Sequence, residues 1–296
     1  MMNSERRDYH EDTALFREAL SFTQSETGFS ARLVENDYYG SLLLEDLISM
    51  GDSGCAFKGG TCLSKVHSEF CRLSEDLDFG FSVPVDASRS LRSSTIKAMK
   101  AHLARLPQRL RGIRVAEPLR GYNNSTQYIG QLCYRSQVTG QDETIKVEFS
   151  IREPILEPVE CLPAGTLLVD PFRHRSAIGP LAVPVLSRRE TYAEKARAAL
   201  TRREPAIRDF YDIDHGIRAG KLSLNDSRLI ELLAAKLAVP GNDPVDVSDR
   251  KRNSLLKQVH SQLRPVLRES DYGSFDMERA FSVVTQLAAA LPRSNS

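Results

Sequence analysis

The chain of 296 residues holds little that would staple it together or anchor it in a bilayer. Its cysteines, Cys55, Cys62, Cys71, Cys133 and Cys161, are odd in number and include no Cys-x-x-Cys pair. That speaks against a zinc ribbon and against a disulfide framework. Reduced thiols, and with them a cytoplasmic protein, are the expectation. No apolar run approaches the ~20 residues that span a membrane. The N-terminal segment, Met1 to Asp8, is charged and lacks an apolar signal region. A membrane partner is therefore not expected. The net charge is only +1, so the whole molecule is no polycation, although basic groups can still gather on one face. Internal repeats and low-complexity tracts are absent.

What is present is the mixture of a globular protein, 41% hydrophobic and 27% charged. A prior of roughly 150 residues per domain predicts about two domains, each able to bury a core without covalent help. Residues 11–50 read as two helices with a break near Gly28-Phe29-Ser30. Cys55 to Lys58 is a short strand, and residues 61–70 a helix. Residues 76–83 alternate as a half-buried strand and stop at Pro84. Asp86 is the expected N-cap of a helix running to about Leu110. Gln127 to Val138 and Thr144 to Ile151 form a hairpin around Gly140. The proline-rich stretch 153–186 reads as loops and short strands. From Ser187 the chain turns helical, opening on a capping box, Ser187-Arg188-Arg189-Glu190. Further helices are expected at about 205–219, 225–238, 249–268 and 274–291. The predicted class is α+β. The division is a domain over 1–186 with a helical N-terminal lead, then a helical domain over 187–296.

Four local patterns carry chemistry. In Lys58-Gly59-Gly60-Thr61-Cys62-Leu63-Ser64-Lys65, two glycines lie between a strand and a helix. They permit close backbone approach, and the helix amides favour an anion such as phosphate. The pattern is neither a Walker A motif nor a Rossmann fingerprint, and a plain strand-to-helix turn also explains it. In Asp76-Leu77-Asp78 the acids are two apart and share one strand face. Two such carboxylates suit Mg²⁺, which keeps waters and binds substrate phosphates as well. A solvated strand face is the alternative. In Lys146-Val147-Glu148 the polar face carries Glu148, a third carboxylate if this strand lies beside Asp78. The stretch after Ser187 carries Lys195, Arg202, Arg203, Arg208, Asp209, Tyr211 and Asp212, which also fits an ordinary charged helix surface.

Taken together and in this order, the patterns resemble the AbiEii/AbiGii nucleotidyltransferase toxin family, which includes the MenT-like toxins of toxin–antitoxin systems. The resemblance rests on Lys58-Gly59-Gly60-Thr61-x-Leu63-x-Lys65 followed by Arg72-x-Ser74-Glu75-Asp76-Leu77-Asp78-Phe79. Val34-Glu35-Asn36-Asp37-Tyr38-Tyr39 looks like an upstream segment of that family, with Asn36 where the family often has lysine. Glu194-Lys195 and Arg208-Asp209-x-Tyr211-Asp212 look like its C-terminal motif. The resemblance implies a polymerase-β-like nucleotidyltransferase core with N-terminal helices and a helical C-terminal domain. It implies an NTP substrate, Mg²⁺ or Mn²⁺, an RNA acceptor (the 3′ end of tRNA, which blocks translation) and a cognate antitoxin. By position it assigns Asp76 and Asp78 to metal and Lys65 and Lys195 to nucleotide phosphates. Asp209 would complete the site, with Glu148 on the acceptor side. Lys58, Gly59, Gly60, Thr61 and Ser74 would line the nucleotide, and Ser74 matches a position phosphorylated in some relatives. Two basic stretches are candidates for RNA: His102, Arg105, Arg109, Arg111 and Arg114, and Arg188, Arg189, Arg197, Arg202 and Arg203. Two rival readings remain: transfer to a protein hydroxyl, and a nucleotidyltransferase-like binding module without turnover.

Overall fold

The computed structural model describes residues 8–51 and 54–292, so the expectation for residues 1–7 lies outside the described part. Two compact units divide the chain. One comprises Met1–Glu69, Leu73–Ile155 and Val159–Val185; the other comprises Phe70–Arg72, Leu156–Pro158 and Leu186–Ser296. A sequential division at 186/187 does not anticipate the two three-residue segments that leave the first unit.

The first unit opens with helices α1 (Thr13–Thr27) and α2 (Ala31–Ile48). Gly28, at φ 75°, ends α1 in the left-handed region, and the Ser30 hydroxyl caps α2 at the Leu33 amide. Strand β1 (Cys55–Lys58) runs into the short helix α3 (Gly59–Cys62), whose path continues as one π-type turn over Leu63–His67. Strand β2 covers Leu77–Phe81, so Asp78 lies inside it and Asp76 one residue ahead. The helix expected from Asp86 to Leu110 is instead two pieces, α4 (Arg89–Thr95) and α5 (Lys97–Ala104), with a 3₁₀ turn over Leu106–Gln108. Ser88, not Asp86, is the N-cap, because its hydroxyl accepts from the Leu91 amide.

The remaining strands are β3 (Ile113–Tyr122), β4 (Gln127–Arg135), β5 (Asp142–Ser150), β6 (Glu160–Ala164), β7 (Val169–Asp170), β8 (Arg175–Ser176) and β9 (Leu181–Val185). β3 lies outside the strands expected from the sequence. Arg114, Glu117, Pro118 and Arg120 leave it mostly exposed, and bulges interrupt its pairing with β4. Seven strands form one mixed sheet in the order β3-β4-β5-β2-β1-β9-β6. β2 pairs with β5 in parallel and with β1 in antiparallel. One face of this centre is apolar. Phe57, Phe79 and Phe149 are buried there, with Phe79 stacked on Phe149 at 5.1 Å. Each ring contributes about 2–3 kcal/mol by leaving water. The alternate residues on β2 and β5 consequently face the other way, and those are the charged ones.

The second unit is helical: α6 (Arg188–Thr201), α7 (Ile207–Arg218), α8 (Ser227–Ala238), α9 (Asp249–Gln258), α10 (Glu269–Gly273) and α11 (Met277–Ala289). Half of the expected capping box forms. The Ser187 hydroxyl accepts from the Glu190 amide at 3.0 Å. The Glu190 carboxylate does not reach back. It accepts from the amides of Leu156 and Glu157 and pairs with Lys236 at 2.7 Å. Among the described residues, no helix is long and apolar enough to cross a membrane.

Candidate active site

The sheet register brings three acids of the first unit together. Asp78 of β2 lies opposite Glu148 of β5 on one side and Lys58 of β1 on the other. Asp76 precedes Asp78 by two residues, and Lys146 precedes Glu148 by two, so all share the face turned away from the phenylalanines. The Lys146 ammonium stands 3.1 Å from Asp76 Oδ2 and 3.4 Å from Glu148 Oε2. Gln127 of β4 donates its amide to Glu148 Oε1 at 2.6 Å. Burial pushes the Asp78 carboxyl up to about 6, and the charges of Glu148 and Asp76 push the same way, against Lys146 and Lys58. Burial works against the Lys146 ammonium, but Asp76, Glu148 and Asp78 outweigh it and raise its pKa.

The glycine turn serves this acidic face. Gly59 has φ 76°, and a Cβ built on it would come within 2.2 Å of Asp78 Oδ2. The hydroxyl of Thr61 donates to the backbone carbonyl of Asp76 and so clamps the turn to the acid-bearing segment. Lys58 extends along the same face, its Cδ 3.2 Å from where a Cβ on Gly80 would lie. Ser74 is half-buried in the segment leading to Asp76. Its neighbour Glu75 pairs with Arg32 at 2.7 Å.

Two expectations change here. Thr61 spends its hydroxyl on Asp76 and leaves only its amide for an anion. Lys65, expected at the phosphates, has a buried side chain whose ammonium lies 2.6 Å from Asp37 Oδ1, 2.9 Å from Ser41 Oγ and 3.3 Å from the Gly165 carbonyl. Asp37 Oδ2 accepts from the Leu167 amide. This is a buried ion pair that ties α2 to the turn, with no ammonium surface left for a ligand.

The second unit holds its own charged cluster. Lys195 of α6 places its ammonium 2.9 Å from Asp209 Oδ1 and 2.9 Å from Asp212 Oδ2, both on α7. Arg72 grips Asp212 with two bonds, Nε to Oδ1 at 2.6 Å and Nη2 to Oδ2 at 2.8 Å. Arg202 Nη1 is 3.0 Å from Asp209 Oδ2, paired by charge without being aligned as a hydrogen bond. Burial opposes the charge of Asp212, yet Arg72 and Lys195 hold its pKa below the usual carboxylate range. Three cations face two carboxylates, so the cluster is cationic, and Asp209 orients cations instead of presenting free oxygens. Arg72 and Asp212 stand in the motifs that carry the resemblance, Arg72 four residues before Asp76 and Asp212 three after Asp209, but spacing alone gives neither a role.

Both expected basic stretches are partly neutralised by acids, while Arg105, Arg111, Arg188 and Arg203 stay exposed. Asp46 holds both His102 and Arg109, and Asp142 holds Arg114. Arg189 is bound by Asp226 and Glu157, and Arg197 by Asn242. An open depression of about 600 Å³ is lined instead by Arg89, Ser90, Ser93, Ser94, Lys97 and Lys100 of α4 and α5.

The donor chemistry of the acidic face fits a divalent ion. Asp76 and Asp78 offer hard carboxylate oxygens on one face, their mutual repulsion is only partly relieved, and an ammonium already sits between two of the acids. Among the described residues, no group of three His, Cys, Asp or Glu side chains is arranged to hold a metal by itself. Two carboxylates completed by substrate phosphate and water remain a suitable set for Mg²⁺.

Against known proteins, the chain matches the family described as "Nucleotidyl transferase AbiEii toxin, Type IV TA system" over residues 42–283. Comparison with curated proteins finds no match. Two solved structures from Helicobacter pylori are similar in fold at 15% identity. A candidate nucleotidyltransferase has a TM-score of 0.51, covering 88% of this chain and 95% of its own. The protein JHP933 has a TM-score of 0.52, covering 88% and 92%.

Proposed function

Since the chain belongs to the AbiEii nucleotidyl transferase toxin family, we propose that it transfers NMP from an NTP to an RNA hydroxyl, the 3′ end of tRNA, and thereby blocks translation. Membership in a toxin–antitoxin family brings with it a nucleotide substrate and an antitoxin partner. The observation that carries the reading is the register of β2 against β5, which assembles Asp76, Asp78 and Glu148 beside the glycine turn.

In this reaction an acceptor oxygen bonds to the α-phosphorus and the bond to the leaving pyrophosphate breaks. Mg²⁺ or Mn²⁺ on Asp76 and Asp78 would supply charge neutralisation for the triphosphate. The backbone of Gly59, Gly60 and Thr61 approaches the nucleotide phosphates, and Lys58 balances their charge. Glu148, fixed by Gln127, orients the acceptor side. Within the helical unit, Lys195, held by Asp209 and Asp212, is the cation that the family resemblance assigns to the nucleotide phosphates. For the polyanionic acceptor, support comes from the stretch Ala87 to Ala116, which has no acidic residue and contributes Arg89, Lys97 and Lys100 to one depression.

The test is purified protein with each labelled NTP and total tRNA. Label should enter RNA, and Asp76→Asn or Asp78→Asn should abolish it. Label that enters protein alone, or no label at all from folded protein, would sink the RNA assignment.

A further inference from the structure

The family resemblance assigns no role to Lys146, yet its side chain lies in the acidic face. It sits two residues before Glu148 on β5, so both project from the same side of the strand. Its ammonium bridges Asp76 Oδ2 at 3.1 Å and Glu148 Oε2 at 3.4 Å. The other oxygen of Glu148 accepts from Gln127 at 2.6 Å. Both oxygens of the third carboxylate are therefore engaged by protein donors. Asp76 Oδ1 and the carboxylate of Asp78 are the acidic oxygens that neither Lys146 nor Gln127 engages.

A two-metal site bridges attacking and leaving oxygens with a pair of divalent ions about 3.5–4 Å apart, and carboxylates shared between the ions hold them. Here the position between Asp76 and Glu148 holds an ammonium. Glu148 has both oxygens engaged and Asp76 one, so the oxygens left to a divalent ion are those of Asp78 and Asp76 Oδ1.

We propose that Lys146 fills the place of one cation in this acidic face, so that the face takes up a single divalent ion, on Asp76 and Asp78. The lysine is a positioning residue. It holds Asp76 toward Glu148 and limits how many ions the carboxylates can share. The inference rests on the nucleotidyltransferase reading of this face and goes beyond it, because that reading is equally compatible with two ions.

Counting Mn²⁺ by electron paramagnetic resonance tests it. The full chain is titrated in the presence of an NTP analogue that cannot be cleaved between the α- and β-phosphates. The Asp76→Asn/Asp78→Asn double variant supplies the background of nucleotide-bound ion. Wild type should bind one ion per chain above that background. Lys146→Met should bind two, with the exchange-broadened spectrum of a close Mn²⁺ pair. Lys146→Arg, which keeps the charge, should bind one, and it guards against a methionine variant that fails to fold. Two ions in wild type, or one in a folded Lys146→Met, overturns the role of Lys146 and leaves the nucleotidyltransferase reading standing. No ion above background in wild type overturns that reading and this inference with it.

Discussion

Gly59 and Asp78 are fitted to each other: the carboxylate of Asp78 occupies the space into which a Cβ at position 59 would project. Asp78 Oδ2 would lie 2.2 Å from that atom, and its own Cβ 2.8 Å. The backbone at Gly59 is in addition left-handed, at φ 76°. Gly59→Ala should thus displace Asp78 and strain the turn at once. A stability loss of about 1–3 kcal/mol is expected from the backbone. NTP incorporation should fall with it. Urea denaturation and an incorporation assay check both, and unchanged values in each would refute the fit described here.

Asp78 also gives a signed dependence on pH. Its carboxyl is raised from 3.8 to about 6 in the folded chain. Between these values the folded state binds a proton that the unfolded state has released. Stability contributed by this group therefore falls as pH rises through the window and is lowest above it. At pH 7.5 and without metal, Asp78→Asn should be more stable than wild type by on the order of 1–3 kcal/mol. The difference should shrink toward pH 4. A flat difference across pH, measured by chemical denaturation, would contradict the assigned cause.

Lys65 and Lys58 separate by role. With its ammonium buried on Asp37, Lys65 is structural. Lys65→Ala leaves a buried carboxylate without its cation, at a cost of about 3–5 kcal/mol. Lys58→Ala should weaken nucleotide binding. Thermal denaturation combined with a fluorescent NTP titration distinguishes the two. Normal stability in Lys65→Ala would return that lysine to the phosphates.

Arg72 and Asp212 make the same kind of bond inside the helical unit. Arg72→Met removes a bidentate partner from a buried acid that Lys195 then holds alone. The expected loss is about 3 kcal/mol, at the lower end for broken buried pairs. A double-mutant cycle with Asp212→Asn should show coupling well above 1 kcal/mol, as contacting residues do. Additive losses would mean that the pair contributes no specific interaction.

The depression on α4 and α5 predicts salt-dependent RNA binding. Arg89→Glu with Lys97→Glu should weaken binding across RNA sequences and flatten the plot of log affinity against log salt. Each lost phosphate contact lowers the slope by about 1. An unchanged slope in a filter-binding assay would place the RNA contact elsewhere.

Much of this protein is local and therefore legible in one dimension. Ser30 and Ser187 are capping residues by type and spacing, and the hairpin around Gly140 follows from two strands flanking a glycine. Asp76 and Asp78 share a face because strand geometry alternates every two residues. The order of Gly59-Gly60-Thr61, Asp76-x-Asp78 and Lys195 was enough to suggest the family that the comparison supports. What no spacing contains is the partner of a charge. Lys65 finds Asp37 across 28 residues and Lys146 finds Asp76 across 70, while Arg72 and Asp212 are 140 apart. A lysine in sequence is only a cation. Whether it meets a phosphate, a buried aspartate or the gap between two carboxylates depends on sheet order and helix packing. The residues themselves determined that an acidic strand follows a glycine turn; the pairing of β2 with β5 alone decided that Glu148 and Lys146 complete it, because register across a parallel pair is set by long-range packing and not by neighbours in the chain.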